Sequence, residues 1–354
     1  MRADILLPWA HSDRDSVLAN ELRDLAVDFR IVPGRLRVDY TWRAQLYLMT
    51  WPRTFWFGLT YAARALLRRT GPDIVIGTTH VEILALALLK KILRRKLPHL
   101  VLLGFIYTRR RSRLHHRLRF LYFKTVLRQV ALVICHSTLE TEENRRTFQL
   151  GTRFAYVPYG LHVPDVSPAG EGQPYVFSAG RSSRDYPTLI RVFANLPYTL
   201  RIACDSKDAL GAVPLPPNIT VLRDCRGRAF LAELRQARLV VIPLTADDIS
   251  AGQMVLLQAM AYGKPVIITR TRTTEEYVRH GETAYLIRRG DEADLREAVK
   301  YLLGDDEQAQ HIGQNAARYY AERHSMRAHV RGIVKCLSRA FGNAVIPDDP
   351  QPDL

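Results

Sequence analysis

Apolar and polar positions change period repeatedly along this chain, and the changes mark out its elements. Residues 4–7 and 29–32 are short apolar runs that read as buried strands. Between them a helix over 16–27 places Leu18, Leu22 and Leu25 on one face. Residues 40–69 are aromatic-rich and read as helix on either side of Trp51-Pro52, since proline breaks the i→i−4 ladder. Strands are predicted at 72–80, 97–104 and 131–135, separated by a helix over 81–95 and an amphipathic helix within 107–128. Ser137-Thr-Leu-Glu140 is a capping pattern that opens another helix. Residues 154–160 close this series, and the Pro/Gly-rich stretch 161–174 reads as a linker.

A second series follows, with strands at 175–179, 199–204, 219–222, 238–243 and 265–269. Helices are predicted from about Pro187, over 228–236, 294–303 and 308–323, and a terminal one over 325–341. Alternation of this kind predicts the α/β class: two Rossmann-like, doubly wound domains with parallel sheets. The expected division is 1–165, 166–324, a terminal helix 325–341 packing back on the N-terminal domain, and a flexible tail 342–354. The most informative stretch is 249–267. Small residues Ser250, Ala251 and Gly252 lead into a helix with Val255, Leu256, Ala259 and Met260 at apolar spacing, which stops at Tyr262-Gly263. Such a helix start, with unpaired N–H groups and about half a positive charge, is a seat for phosphate. On this stretch alone, a turn before an ordinary buried helix remains the other reading.

At 354 residues and 47% hydrophobic content the chain is long enough for two cores. Cys135, Cys204, Cys225 and Cys336 are scattered and fit neither a metal spacing nor a disulfide framework, which points to a reducing, cytoplasmic setting. The apolar run at the start is too short for a signal peptide, and no uncharged stretch has the length of a membrane span. Net charge is +16 and it is lopsided: residues 1–165 hold 27 Lys/Arg against 13 Asp/Glu. Between Glu82 and Glu140 there are 13 Lys/Arg and no acid.

That basic stretch contains Arg109, Arg110, Arg111, Arg113 and Arg117, ahead of and within the amphipathic helix. Leu114, Leu118, Leu121, Phe123, Val126 and Leu127 fall at helical spacing and are expected to form its apolar face, with the cations on or near the other side. Three partners are compatible: an anionic membrane surface, where each Lys/Arg is worth ~1 kcal/mol; nucleic acid; or water alone. His11 and His80 fall at the carboxyl ends of predicted strands, where doubly wound sheets bind ligands. An exposed or structural imidazole is the plainer reading of each.

Five pieces recur in a known order: Val157-Pro-Tyr-Gly-Leu161; Ser178-Ala-Gly-Arg181 with Arg184-Asp185; Val241-Ile-Pro243; the 250–267 stretch; and Thr274–Gly281 ahead of Ala284-Tyr-Leu-Ile287. Spread over nearly all of 155–325, they make the chain resemble family-4-like glycosyltransferases of the GT-B fold, the glycosyl transferases group 1. The resemblance implies two Rossmann-like domains facing a cleft, a nucleotide diphosphate sugar as co-substrate, no resident cofactor and no metal. The adjacent pair Asp247-Asp248 is therefore read as solvated. Gly180, Arg181 and Arg184 would serve the diphosphate, whose leaving-group charge needs cations. The backbone N–H groups of Ala251, Gly252 and Gln253 would take further oxygens, Ser250 would stand beside the donor where the family has a glutamate, Gln258 would hold the ribose, and Glu276 matches an acidic position of the family. Two departures stand out. Ser250 and Gln258 replace two glutamates eight positions apart, and Gly104-Phe105 stand where a His-Asp pair is often found.

The resulting expectation is a metal-independent hexosyltransferase. Its acceptor is lipid-linked or at the membrane surface, in envelope or exopolysaccharide assembly, and the protein is peripheral at the cytoplasmic face. His11 or His80 would act as base if the reaction inverts the anomeric centre; if it retains, the donor phosphate would take that role. The replaced glutamates also admit a catalytically silent nucleotide-sugar or partner-binding protein. Nucleic acid binding explains the basic stretch but not the Gly-Arg and Ser-Ala-Gly-Gln loops.

Overall fold

The computed structural model describes residues 2–8, 10, 17–24, 28–35, 44–67, 71–93, 98–107, 112–166, 173–211, 214–246 and 250–342. His11, Asp13, Arg109, Arg110, Arg111, Asp247 and Asp248 lie outside them, as do part of the expected linker and the tail from 343 on. The chain forms two compact units: Met1–Pro158 with His329–Leu354, and Tyr159–Ala328.

Unit 1 alternates β1 (Arg2–Leu7), α1 (Val17–Asp24), β2 (Asp28–Pro33), α2 (Ala44–Leu67), β3 (Ile74–Gly77), α3 (His80–Leu93), β4 (His99–Leu103), α4 (Arg113–Leu127), β5 (Val130–Cys135), α5 (Thr138–Phe148) and β6 (Phe154–Tyr156). Its sheet is parallel, in the order β2-β1-β3-β4-β5-β6, with Ile5 opposite both Ile31 and Ile76. Apart from the buried Asp4 of β1, which pairs with Arg30 of β2, the inner strand positions are apolar because helices cover both faces. Leu6, Val75, Leu100, Leu102 and Val133 pack with Leu84, Phe123 and Leu127 of the covering helices. The Ser137 hydroxyl accepts from the Glu140 N–H, so the cap read from the sequence is formed.

Two expectations are corrected here. Residues 44–67 form one helix that runs through Pro52, where a break was expected. Proline's missing N–H costs a single ladder bond, and the turns on either side carry the helix past it. The apolar positions of α4 divide between two faces. Phe123, Val126 and Leu127 are buried, whereas Leu114, Leu118 and Leu121 point outward.

Unit 2 contains β7 (Gln173–Ala179), α6 (Tyr186–Phe193), β8 (Thr199–Ala203), α7 (Lys207–Leu210), β9 (Ile219–Leu222), α8 (Gly227–Gln236), β10 (Ala237–Ile242), α9 (Gln253–Ala261), β11 (Val266–Thr269), α10 (Arg272–Tyr277), β12 (Tyr285–Ile287), α11 (Glu292–Gly304) and α12 (Asp306–Arg323). All pairs are parallel, in the order β12-β11-β10-β7-β8-β9. Phe177, Val240, Ile242 and Ile268 meet Leu256, Met260 and Tyr277 on one face. Ile202, Val241 and Ile267 meet Ile190, Phe193, Val299 and Ile312 on the other.

The units divide earlier than the expected 165/166 boundary. Leu161 and Val163 are buried in the core of unit 2, and the Leu161 carbonyl accepts the Tyr320 hydroxyl at 2.8 Å. The terminal helix α13 (Met326–Phe341) belongs with unit 1 from His329 onward. Three imidazoles hold three consecutive carbonyls where the chain passes between units. His136 Nδ1 meets Val157 O (3.0 Å) and His329 Nδ1 meets Pro158 O (2.7 Å), both inside unit 1. Inside unit 2, His324 Nδ1 meets Tyr159 O at 3.1 Å, while the Tyr159 N–H donates to the Tyr277 hydroxyl at 2.9 Å.

Candidate active site

In a parallel sheet the carboxyl ends of all strands share one edge, so β7, β10 and β11 of unit 2 bring their following loops together. After β7 the chain turns at Gly180, whose φ of +117° suits glycine. A side chain there would also collide with the Arg184 guanidinium. Arg184 is only 8% exposed; its Nε donates to Ala179 O and its Nη1 to Ser182 O, both at 2.8 Å. Burial lowers its pKa from the usual guanidinium value. Arg184 therefore holds the loop's shape from behind.

Arg181, in contrast, is exposed. Partial burial works to raise the pKa of Asp205, but the Asp224 N–H, the Arg226 guanidinium and the nearby Arg181 charge outweigh it and hold the carboxyl low. The same loop is tied to the segment after β10. Asp185 N donates to Pro243 O (3.1 Å) and Thr245 N to Ser183 O (3.0 Å). Asp185 caps α6 by accepting from Thr188 N.

The start of α9 lies on this edge. Gly252 is its N-cap, with φ +87° and no side-chain cap. A Cβ there would lie 3.2 Å from the Ile242 side chain, so glycine also lets the helix start sit close over β10. The first helical bond is Leu256 N to Gly252 O, which leaves the N–H groups of Gln253, Met254 and Val255 without a carbonyl in the helix. Ser250 Oγ and Gln253 Nε2 are buried and lack a hydrogen-bond partner among the described residues. A buried polar atom without a partner costs about 1–3 kcal/mol, so two at one helix start mark a place where a polar ligand repays the loss.

Gln258 is half-buried further along α9. After β11, Thr271 and Thr274 form a reciprocal capping box for α10, which carries half-buried Glu276. Thr273 Oγ1 is also buried and unpartnered among the described residues. Sequence reading passed over Thr273, because a lone threonine in a Thr-rich turn carries no signal until its burial is known. All nine predicted donor-site residues thus fall on elements at one sheet edge of unit 2.

His80 belongs to unit 1, at the start of α3. It packs edge-on against Phe123 (ring centroids 5.1 Å) and Tyr122 (6.1 Å). Burial, reinforced by the Arg119 charge, lowers its pKa to about 4. It is neutral at pH 7, but an imidazole of such low basicity is a poorer acceptor of a hydroxyl proton than one near 7. Two residues on, Glu82 is fully buried and accepts from Thr78 N (2.9 Å), Thr79 N (2.6 Å) and the Thr79 hydroxyl. Burial raises its pKa, with those bonds opposing the shift. The Glu82 side chain thus reaches back to the Thr79 N–H at the start of α3, and the Thr79 hydroxyl accepts from Val81 N at 3.2 Å, a cap for which the Thr-x-x-Glu spacing is the sequence signal. Arg113 and Arg117 are exposed on α4.

Residues 183–305, most of the segment just described, match the family of glycosyl transferases group 1. A 63-residue segment is 40% identical to N-acetyl-alpha-D-glucosaminyl L-malate synthase of Bacillus anthracis, covering 18% of this chain and 16% of that relative's length. Among solved structures, a glycosyltransferase of Rickettsia africae superimposes with a TM-score of 0.66 at 12% identity, covering 97% of this chain and 99% of the other. HepE of Anabaena, solved in complex with UDP-glucose, does so with a TM-score of 0.62 at 18% identity, over 96% and 100%. These likenesses show the fold, two Rossmann-like units of the GT-B type.

Proposed function

We propose that this chain, whose residues 183–305 carry the match to glycosyl transferases group 1, is a glycosyltransferase that uses a nucleotide diphosphate sugar as donor. The observation that carries the reading is the start of α9, with free helical N–H groups and the unpartnered Ser250 Oγ and Gln253 Nε2 beside it. A diphosphate fits there because its oxygens accept from all of these donors and its charge is met by the helix end and by Arg181. Arg184 contributes by holding the Gly180 turn in place. In this reading Gln258 takes ribose hydroxyls, with an amide where a carboxylate would be more strongly accepting.

As the sugar–phosphate bond breaks, negative charge grows on the leaving diphosphate, and donors already fixed in position stabilise it without reorganising. The low basicity of His80 favours the retaining alternative over a His80 base. HepE's complex with UDP-glucose makes a uridine donor the first to try. The acceptor is proposed to be lipid-linked or held at a membrane surface, since unit 1 carries the basic excess; among the described residues no helix is long and apolar enough to cross a membrane.

The test is calorimetric titration with UDP, GDP, ADP and dTDP, followed by transfer of labelled sugar from the matching donor to a membrane extract. Binding together with transfer supports the reading. Binding without turnover would favour the silent binding protein that the Ser250 and Gln258 replacements suggest, and no binding at all would end the donor-site reading.

A further inference from the structure

We propose that the outer face of α2, α3 and α4 seats unit 1 on an anionic lipid surface, with the leucines of α4 entering the headgroup layer. On α4, Leu114, Leu118 and Leu121 are 69%, 60% and 59% exposed. At 100° per residue they fall within roughly 60° of one another, a continuous stripe. On the same wheel Arg113, Arg117, Lys124 and Arg128 follow along one flank, while the buried Phe123, Val126 and Leu127 lie opposite. A helix that has already buried one apolar face has no need of a second in water. Placing three leucines there costs solubility unless something covers them.

The neighbouring helices extend the surface. The helices α2 and α3 pack together, and so do α3 and α4. Trp56 of α2 and Ile92 of α3 are 65% and 72% exposed. Tryptophan is suited to a headgroup boundary because its ring is apolar and its N–H polar. The three helices carry two, two and four Lys/Arg, eight in all, and a single acidic residue, Glu82. That residue is fully buried. Arg119 turns inward over the Tyr107 and Phe123 rings, and among the described residues the other cations of these helices stand beside aliphatic side chains with no exposed acid on the same helices.

This combination selects the partner. Nucleic acid would reward the cations but has nothing to cover three aliphatic side chains, since its apolar contacts come from stacked bases. A protein partner would need a groove lined by carboxylates. An anionic bilayer supplies both a negative surface and an apolar layer a few ångströms beneath it. The docking follows from this surface alone; its use, to bring the enzyme to an acceptor held in the bilayer, rests on the transferase reading above.

The test is flotation with vesicles of phosphatidylcholine, alone or mixed with phosphatidylglycerol. The full chain is expected to float with the anionic vesicles and not with the neutral ones. A Leu114→Ser, Leu118→Ser, Leu121→Ser variant, whose changes are all at exposed positions, is expected to lose about tenfold or more of that binding, because each removed side chain takes away inserted apolar area. Its nucleotide titration should match the parent's, which separates loss of docking from loss of fold. Arg113→Gln with Arg117→Gln and Lys124→Gln should weaken binding and flatten its salt dependence. The proposal falls if the parent ignores anionic vesicles, which together with retention of a DNA duplex would make nucleic acid the partner, or if the leucine variant floats as the parent does. A protein that floats but binds no nucleotide leaves the docking standing and removes only the donor reading; the converse removes only the docking.

Discussion

Arg184 donates its Nε–H to the carbonyl of Ala179 across 2.8 Å, behind the turn that Gly180 makes after the strand. A cation close to a proposed phosphate seat is easily taken for a phosphate ligand, but the Nε and Nη1 of this one are already engaged by the loop.

That geometry separates two arginines by experiment. Arg184→Ala strands the Ala179 and Ser182 carbonyls and opens a void. It should destabilise unit 2 by about 2–4 kcal/mol, seen as a fall in Tm. Arg181→Ala should leave Tm in place and weaken nucleotide binding by about tenfold or more, the scale of one charge-assisted contact. The opposite pattern would make Arg184 the ligand and Arg181 a bystander.

Gly180→Ala probes the same turn from the other side. The new methyl group meets the Arg184 guanidinium, and φ +117° strains any residue with a Cβ. Thermal unfolding should show a loss of about 1–3 kcal/mol, accompanied by weaker nucleotide binding. A variant as stable as the parent would show that the loop is looser than its hydrogen bonds imply.

His324 sets an acid limit on stability. It is buried between the Tyr159 carbonyl and the Tyr277 ring, stacked at 4.8 Å, and burial, opposed by that carbonyl bond and aided by Arg323, lowers its pKa to about 4. The unfolded chain takes up this proton near pH 6.5 and the folded one near 4. Its contribution is therefore complete above pH 6.5 and lost as pH falls through the window to 4. A Tm profile over that range should be steeper for the parent than for His324→Phe. Parallel profiles would remove the imidazole from the explanation.

Lys264 gives a second pH signature with its window on the alkaline side. It is only 4% exposed, and burial, with help from Arg235, lowers its pKa to about 8. The unfolded value lies near 10.4, so the folded state is penalised most below pH 8 and gains stability as pH rises toward 10.4. Lys264→Met, which keeps the stem and drops the charge, should stabilise the protein at pH 7 by up to about 3 kcal/mol and by less at pH 9.5. Equal gains at both values would mean that packing, not charge, is responsible.

The alternation of strands and helices was legible because both sheets are parallel and buried, and their apolar runs stand out against polar loops. The Ser137 cap and the Gly252 helix start were legible because local spacing determines them. Pro52 misled, since a helix anchored at both ends tolerates one missing bond. The two apolar faces of α4 are separated by spacing, since 114, 118 and 121 lie opposite 123, 126 and 127 on the helical wheel, but each is a continuous apolar stripe and only the fold shows which one is buried. The histidines at 136, 324 and 329 gave no signal either: each meets a carbonyl distant in sequence, and only the fold brings them to residues 157–159.

The account stands most directly on the start of α9, and isothermal titration of the parent and of Ser250→Ala with Gln253→Ala against nucleoside diphosphates tests it. One diphosphate should bind the parent, and the double variant should bind it about tenfold or more weakly, because two donors to the phosphates are gone. Equal affinity in parent and variant, or no binding by the parent, would contradict the assignment of this helix start as the diphosphate seat.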